Sequence, residues 1–119
     1  MTKTVTLTIP GPLKDLKVIK RSVAGSAQRW RPKTWPMGAG IHLTILISVS
    51  RPPSLPKKAV LALKRPAIDR LLVAVSQGLT GILFTDSSQI LGVMIMKDYC
   101  PSLTPSSVKI VVDAMEAKS

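Results

Sequence analysis

Two acidic residues, Asp69 and Asp86, carry the carboxylates that metal-assisted chemistry would use. Asp69 stands at the start of a run with helical spacing, and Asp86 lies beyond that run. Magnesium is usually held by two or more carboxylates, and a bound metal ion can activate water for attack on a phosphodiester. The remaining acids are scattered and form no acidic patch. An aspartate in a first helical turn also stabilises the helix dipole, so a structural role for Asp69 is the alternative.

The chain carries a large excess of basic residues. It has 17 lysines and arginines against six acidic residues, a net charge of +11 and a pI near 10.5. This surplus favours a polyanionic partner, and we expect nucleic acid. A ribosomal-type or merely soluble basic protein is the alternative. A membrane partner is not expected, because no strongly amphipathic basic helix stands out and no apolar run approaches the ~18 residues of a membrane span.

The single cysteine and the single histidine offer little chemistry. Cys100 allows no disulfide within the chain and no cysteine-rich zinc site. His42 has no Cys, Asp or Glu near it in sequence, so we expect it to pack rather than to bind a metal. The N-terminus has no signal-peptide core. These features predict a cytoplasmic protein that holds no cofactor. Magnesium is the exception, if Asp69 and Asp86 form a residual metal site.

One group of cations is interleaved with aromatic residues. Arg29, Arg31 and Lys33 alternate with Trp30 and Trp35 in a segment, 29–40, that proline and glycine interrupt. Basic grooves with aromatic side chains often hold nucleic acid through phosphate contacts and base stacking. The alternative for the tryptophans is that they pack this basic loop onto the body of the protein.

A second group of cations surrounds Asp69. Its members are Lys57, Lys58, Lys64, Arg65 and Arg70. The first four belong to a proline-rich basic loop over 50–66, and Arg70 lies near the start of the predicted helix that follows. We expect them to line a nucleic-acid-binding face. A solvated charged rim is the alternative.

Alternation of apolar and polar residues predicts three half-buried strands. Residues 4–9, 41–49 and 108–114 each place their apolar side chains on one face. Residues 90–96 are apolar on both faces, so we expect a central strand covered on both sides. Met94, Met96 and Met115 are accordingly expected in the core.

One helix is predicted firmly, over residues 67–79. Ile68, Leu71, Leu72, Val75 and Leu79 form its apolar stripe. Residues 13–29 have roughly helical spacing, but a glycine and five basic residues leave their structure open. The order of elements predicts a small α+β domain: a mixed sheet of about four strands packed by one firm helix.

Four segments together resemble the RusA-type Holliday junction resolvases. They are RPPSLPKK at 51–58, KRPAIDRL at 64–71, LTGILFTDSSQI at 79–90 and KDY at 97–99. Members of this family are small, dimeric, magnesium-dependent endonucleases of phages and prophages. The resemblance implies one RusA-like domain over 1–119, a homodimer, and DNA as the partner. The region before Ile41 is shorter than in the family, which implies a shortened N-terminal helical region.

The resemblance breaks at the metal-binding residues. Ala67 stands where the family has its first aspartate, and Ser87 stands where it has the principal metal-binding aspartate. Asp69 and Asp86 match family aspartates and are retained as remnants. Alanine and serine cannot replace carboxylates as magnesium ligands.

The helix that follows also departs from the family pattern. Val73 replaces a lysine, Gln77 replaces another aspartate, and Arg70 replaces an asparagine. Losing even one metal carboxylate commonly costs orders of magnitude in rate. Arg70 adds a cation beside the former metal position, so we expect it to attract phosphate in place of the ion.

The leading hypothesis is therefore a catalytically inactive RusA-like protein that binds DNA, including branched DNA, without cutting it. Two alternatives stay open. The protein could dimerise with an active resolvase, or dock on another nuclease or replication factor, and inhibit it. It could also be a residual magnesium-dependent resolvase that uses Asp69, Asp86 and a partner subunit.

Overall fold

Two α-helices and four strands form the described part of the chain. The computed structural model describes residues 2–10, 15–49, 68–99 and 106–115. In chain order the elements are β1 (Thr2–Pro10), α1 (Leu16–Trp30), β2 (Gly40–Val49), α2 (Ile68–Leu79), a 3-10 helix (Ser87–Gln89), β3 (Ile90–Tyr99) and β4 (Ser107–Met115). No helix of these ranges is long and apolar enough to cross a membrane.

The strands form one mixed sheet, as the sequence predicts. Its order is β1-β4-β2-β3. β4 runs antiparallel to both of its neighbours, and β2 runs parallel to β3. β1, β2 and β3 therefore point the same way, which requires a helical crossover between β1 and β2 and another between β2 and β3. The α+β class and the four-stranded mixed sheet are confirmed.

The core lies between the helices and one face of the sheet. Every second residue of β1, β2 and β4 is buried, and these residues pack with the buried faces of α1 and α2. The opposite face, called here the open face, carries the alternate residues of the strands. Its β1 row is Thr4, Thr6 and Thr8, and none of these three is buried. Both described helices thus cover the same side of the sheet.

The segment whose structure the sequence left open forms α1. Asp15 caps its start, since the carboxylate accepts a hydrogen bond from the Lys17 amide at 2.9 Å. Ile19, Val23 and Ala27 recur every four residues and are buried. This stripe holds the helix on the sheet despite its basic residues, so two helices rather than one pack the sheet. The predicted 29–40 loop begins later, because α1 continues to Trp30.

The helix predicted over 67–79 is α2, with a buried face that differs in part from the predicted stripe. Leu71, Val75 and Leu79 are buried as expected, but Ile68 at the exposed end is 37% accessible. Gly78 is buried instead and packs against α1. Gly81 follows the helix with a φ of 87°, a conformation that glycine adopts without strain.

The prediction of a central, doubly covered β3 is wrong. β3 is an edge strand that pairs only with β2. Because the described helices cover one face only, Met94 and Met96 are 49% and 58% exposed, and Leu91 is 70% exposed. Met115 ends β4 and is 38% exposed, so none of the three methionines expected in the core is buried. The apolar run reflects an uncovered surface rather than a buried strand.

Candidate nucleic-acid interface

Three of the four exposed cations of α1 occupy one stripe of the helix. Lys20 and Arg21 lie three and four residues after Lys17, so the three side chains leave the same face of the helix. All three are exposed. Buried Ile19 and Val23 anchor the neighbouring stripe to the core. The helix therefore presents three positive charges beside its contact with α2.

These cations line a groove between α1 and α2 with a volume of about 520 Å³. α1 contributes the three cations, and α2 and the turn after it contribute uncharged groups. The lining residues are Lys17, Lys20, Arg21, Ala24, Gln77, Gly78, Thr80 and Ile82. No acidic residue is among them, so the groove has a positive wall facing a neutral one.

Gly78 sets how closely the two helices approach. A Cβ atom built on this glycine would lie 2.7 Å from the carbonyl oxygen of Lys20 and 3.0 Å from Cγ1 of Val23. Real Cβ atoms do not approach other heavy atoms so closely, so a side chain here would push α2 away from α1. The absence of that side chain brings Gln77 and Thr80 close to the cations of α1.

The two tryptophans of the 29–35 region have different environments. Trp35 is buried, and its Nε1 donates a hydrogen bond to the carbonyl oxygen of Leu83 at 2.7 Å. Trp35 therefore packs the loop onto the body of the protein. Trp30 is 63% exposed between Arg29 and Arg31. A stacking role is thus open to Trp30 alone.

The predicted cations divide between two ends of the helix layer. Arg29 lies in the last turn of α1, and exposed Arg31 and Lys33 follow it. Arg70 is exposed in the first turn of α2. Lys57, Lys58, Lys64, Arg65 and Ala67 lie outside the described residues.

Two residues that stand where the resemblance implies catalytic residues are exposed on α2. Val73 is 52% exposed, and Gln77 is exposed and lines the groove. An apolar valine at the first position and a neutral amide at the second supply no charge to a metal ion.

Asp86 and Ser87 belong to a helix cap. The Asp86 carboxylate accepts hydrogen bonds from the Ser88 amide at 3.1 Å and from the Ser87 hydroxyl at 3.5 Å. Gln89 completes a capping box, since its Oε1 accepts from the amides of Thr85 and Asp86 at 2.8 and 3.0 Å. This cap thus ends the loop after α2 and leads directly into β3.

Gln89 also ties this cap to the start of β2. Its Nε2 donates to the carbonyl oxygens of Met37 and Ala39 at 2.7 and 2.9 Å. The side chain therefore joins two loops at the same end of the sheet. The sequence motif includes Gln89, but its structural function shows only once the two loops lie side by side.

Asp69 and Asp86 do not converge in one chain. Asp69 is in the first turn of α2, whereas Asp86 lies beyond the last turn. An α-helix rises about 1.5 Å per residue, so roughly 15 Å of helix axis separates these ends. Magnesium ligands lie about 2.1 Å from the ion. Among the described ranges, no group of three His, Cys, Asp or Glu residues could hold a metal, so the residues present do not fit a magnesium site.

The sequence interpretation missed Lys17, Lys20 and Arg21 as site residues. Their spacing was visible in the sequence, but it is informative only if the segment is a helix. His42, expected to pack, is partly buried on the open face, where Gly92 leaves room for its ring: a Cβ on Gly92 would lie 2.8 Å from His42 Cδ2. Cys100 lies outside the described residues.

No protein-family model and no curated protein matches the chain. Among solved structures, the crystal structure of the HypE–HypF complex matches 98% of this chain and 34% of its own at 11% identity, with a TM-score of 0.42. Thiamine-monophosphate kinase from Stenotrophomonas maltophilia K279a matches 96% of this chain and 30% of its own at 11% identity, with a TM-score of 0.41. The chain spans about a third of these structures, and likenesses this weak carry no argument about function.

Proposed function

We propose that the protein binds DNA, including branched DNA, through its helix layer and does not cleave it. In this proposal it is a catalytically inactive, homodimeric relative of the RusA-type resolvases, of phage or prophage origin. The observation that carries the proposal is the groove between α1 and α2, which has three exposed cations and no carboxylate in its lining. Phosphate contacts by lysine and arginine supply most of the affinity of sequence-independent DNA binding.

The distribution of the other cations supports the same surface. Arg29, Arg31 and Lys33 extend the positive charge past the end of α1, and Arg70 adds to it from α2. On the open face, by contrast, Lys109 is accompanied by Asp98 and Asp113. A polyanion approaching the molecule is therefore attracted to the helix layer rather than to the open face.

The absence of cleavage in the proposal rests on the acids. Asp69 and Asp86 are separated by the length of α2, and Asp86 is engaged in capping. Among the described residues, no group of three His, Cys, Asp or Glu side chains could hold a metal. Without the metal, nothing in the described residues would activate water or neutralise the charge that develops at phosphorus.

A binding and cleavage assay with a four-way junction tests the proposal. The junction and a linear duplex of matched sequence are each titrated with protein, with and without magnesium. We expect binding that weakens steeply with salt, by about 0.9 logarithmic units per phosphate contact for each tenfold rise in salt concentration, and no product on either substrate. Product that requires magnesium would overturn the proposal in favour of a residual resolvase, and Asp69→Ala should then abolish it.

The open face favours a second candidate function, an interaction with another protein. Leu46, Met94 and Met96 are 36–58% exposed on neighbouring strands of this face. Adjacent exposed apolar side chains are typical of protein–protein contact sites. The partner would be an active resolvase, another nuclease or a replication factor that the protein inhibits. No DNA binding at moderate salt, together with inhibition of an active homologue, would select this function.

A further inference from the structure

The groove between α1 and α2 carries an inference that deepens the proposed function and rests on it. Lys17, Lys20 and Arg21 form its positive wall, and Gln77 lines it from α2. We infer that this groove is a phosphate-binding site that holds the sugar–phosphate backbone of nucleic acid. This places the principal contact on the N-terminal half of α1 rather than in the 29–33 segment.

The helix dipole does not explain the position of these cations on α1. The helix dipole favours acidic residues in the first turn and basic residues in the last. α1 has no acidic residue in its first turn, which contains Lys17, and only Arg29 in its last turn. Like charges three or four residues apart also repel each other. An anion in the groove would relieve both effects.

The three cations are also free of protein partners within the described ranges. None of their side chains makes a hydrogen bond or an ion pair there. Asp15, the nearest acid in sequence, is occupied in capping the helix through the Lys17 amide. The charges are thus available to an external ligand.

The chemistry of the donors selects phosphate. The planar guanidinium of Arg21 matches two phosphate oxygens, and the two lysines add point charges with rotatable donors. Gln77 can donate from Nε2 without adding charge. The Thr80 hydroxyl donates to the Ser76 carbonyl at 2.7 Å, so its proton is committed within the helix.

A matched pair of glutamine substitutions tests the groove directly. Gln77→Glu places a carboxylate in the groove, whereas Gln28→Glu makes the same change on an exposed part of α1 next to Arg29. We expect Gln77→Glu to weaken binding to a linear duplex about tenfold, since it offsets one phosphate contact. Gln28→Glu should change the affinity by less than about threefold.

A matched pair of triple substitutions measures the size of the contribution. Lys17→Ala/Lys20→Ala/Arg21→Ala and Arg29→Ala/Arg31→Ala/Lys33→Ala both remove three positive charges. We expect the first set to lower the salt slope by about two to three and the second by about one or less. Circular dichroism of each variant establishes that it is folded, and the conservative Gln77→Glu variant tests the groove without removing any cation.

An NMR titration separates this inference from the proposed function. Duplex DNA should shift the amide resonances of Lys20, Arg21 and Gln77 in the wild-type protein. DNA binding that leaves these resonances unmoved, with equal effects of Gln77→Glu and Gln28→Glu, would overturn the groove and leave the proposed function intact. Shifts with inorganic pyrophosphate but no DNA binding would overturn the proposed function and assign the groove to a free phosphate ligand.

Discussion

The backbone of Gly78 lies against the carbonyl of Lys20, so closely that an added methyl group would be only 2.7 Å from that oxygen. This contact joins the two helices at the groove. It also couples the stability of the helix layer to the shape of the candidate binding surface, because a change at Gly78 must move one helix relative to the other.

Gly78→Ala should destabilise the protein by about 1–3 kcal/mol, because overpacking against a backbone atom costs more than the helix propensity of alanine returns. Urea denaturation measures the free energy of unfolding. Gly25→Ala is the matched control, since Gly25 lies in α1 with nothing within 4 Å of an added Cβ. We expect that control to stabilise the protein by about 0.5–1 kcal/mol. Equal effects of the two changes would contradict the close helix contact.

Gln89→Ala should cost about 2–3 kcal/mol of stability. The change removes four hydrogen bonds that join the cap to the 37–39 loop before β2. A hydrogen bond typically contributes about 1 kcal/mol net, and the two to exposed cap amides contribute less because water replaces them. Thermal or urea unfolding measures the loss, with exposed Gln28→Ala as the control, expected within about 0.5 kcal/mol of wild type. A negligible loss at Gln89 would show that the motif is not structural in this chain.

The parts of the fold that could be predicted are those with one dominant periodicity. β1, β2 and β4 alternate strictly, and the apolar stripe of α2 repeats at helical spacing, so local sequence determines them. α1 could not be assigned, because its buried stripe of Ile19, Val23 and Ala27 is surrounded by cations and includes Gly25. The place of each strand in the sheet could not be predicted either. An apolar strand such as β3 is equally compatible with a buried centre and with an exposed edge, and only the strand order decides.

The positive charge of the candidate site could be predicted from the sequence, but the shape of the groove could not. The excess of cations and the exposed Arg29, Arg31, Lys33 and Arg70 follow from the sequence. The groove depends on where α1 meets α2, and that contact is set by Gly78, whose close approach to Lys20 depends on the fold. Asp86 was a candidate metal-binding remnant by resemblance, whereas the hydrogen bonds that its carboxylate makes are those of a helix cap.

Trp35→Phe should destabilise the protein by about 1–3 kcal/mol. It removes the indole donor and leaves the buried Leu83 carbonyl without its 2.7 Å hydrogen bond. Urea unfolding followed by circular dichroism measures the effect without relying on tryptophan fluorescence. Trp30→Phe, at a 63% exposed position, should change stability by less than about 0.5 kcal/mol. A larger effect at Trp30 than at Trp35 would reverse the assignment of the packed ring.

The same pair of variants reports on base stacking. The chain has two tryptophans, so Trp35→Phe leaves Trp30 as the sole fluorophore. We expect single-stranded DNA to quench it and to shift its emission, because an exposed ring between Arg29 and Arg31 can stack on a base. Trp30→Phe leaves buried Trp35, whose emission should not respond. An unresponsive Trp30 in a protein that binds DNA would exclude the stacking role.

Arg70→Ala should weaken DNA binding and lower the salt slope by about one, because Arg70 is exposed in the first turn of α2 and would contribute one phosphate contact. Fluorescence anisotropy over a series of salt concentrations measures both quantities. Lys109→Ala is the matched control: it removes the same charge from an exposed position on the open face of β4. Since long-range attraction depends on total charge and phosphate contacts depend on position, the control should leave the slope unchanged. If the two variants lose the same affinity with the same slope, net charge rather than the helix layer determines binding, and the proposed interface is wrong.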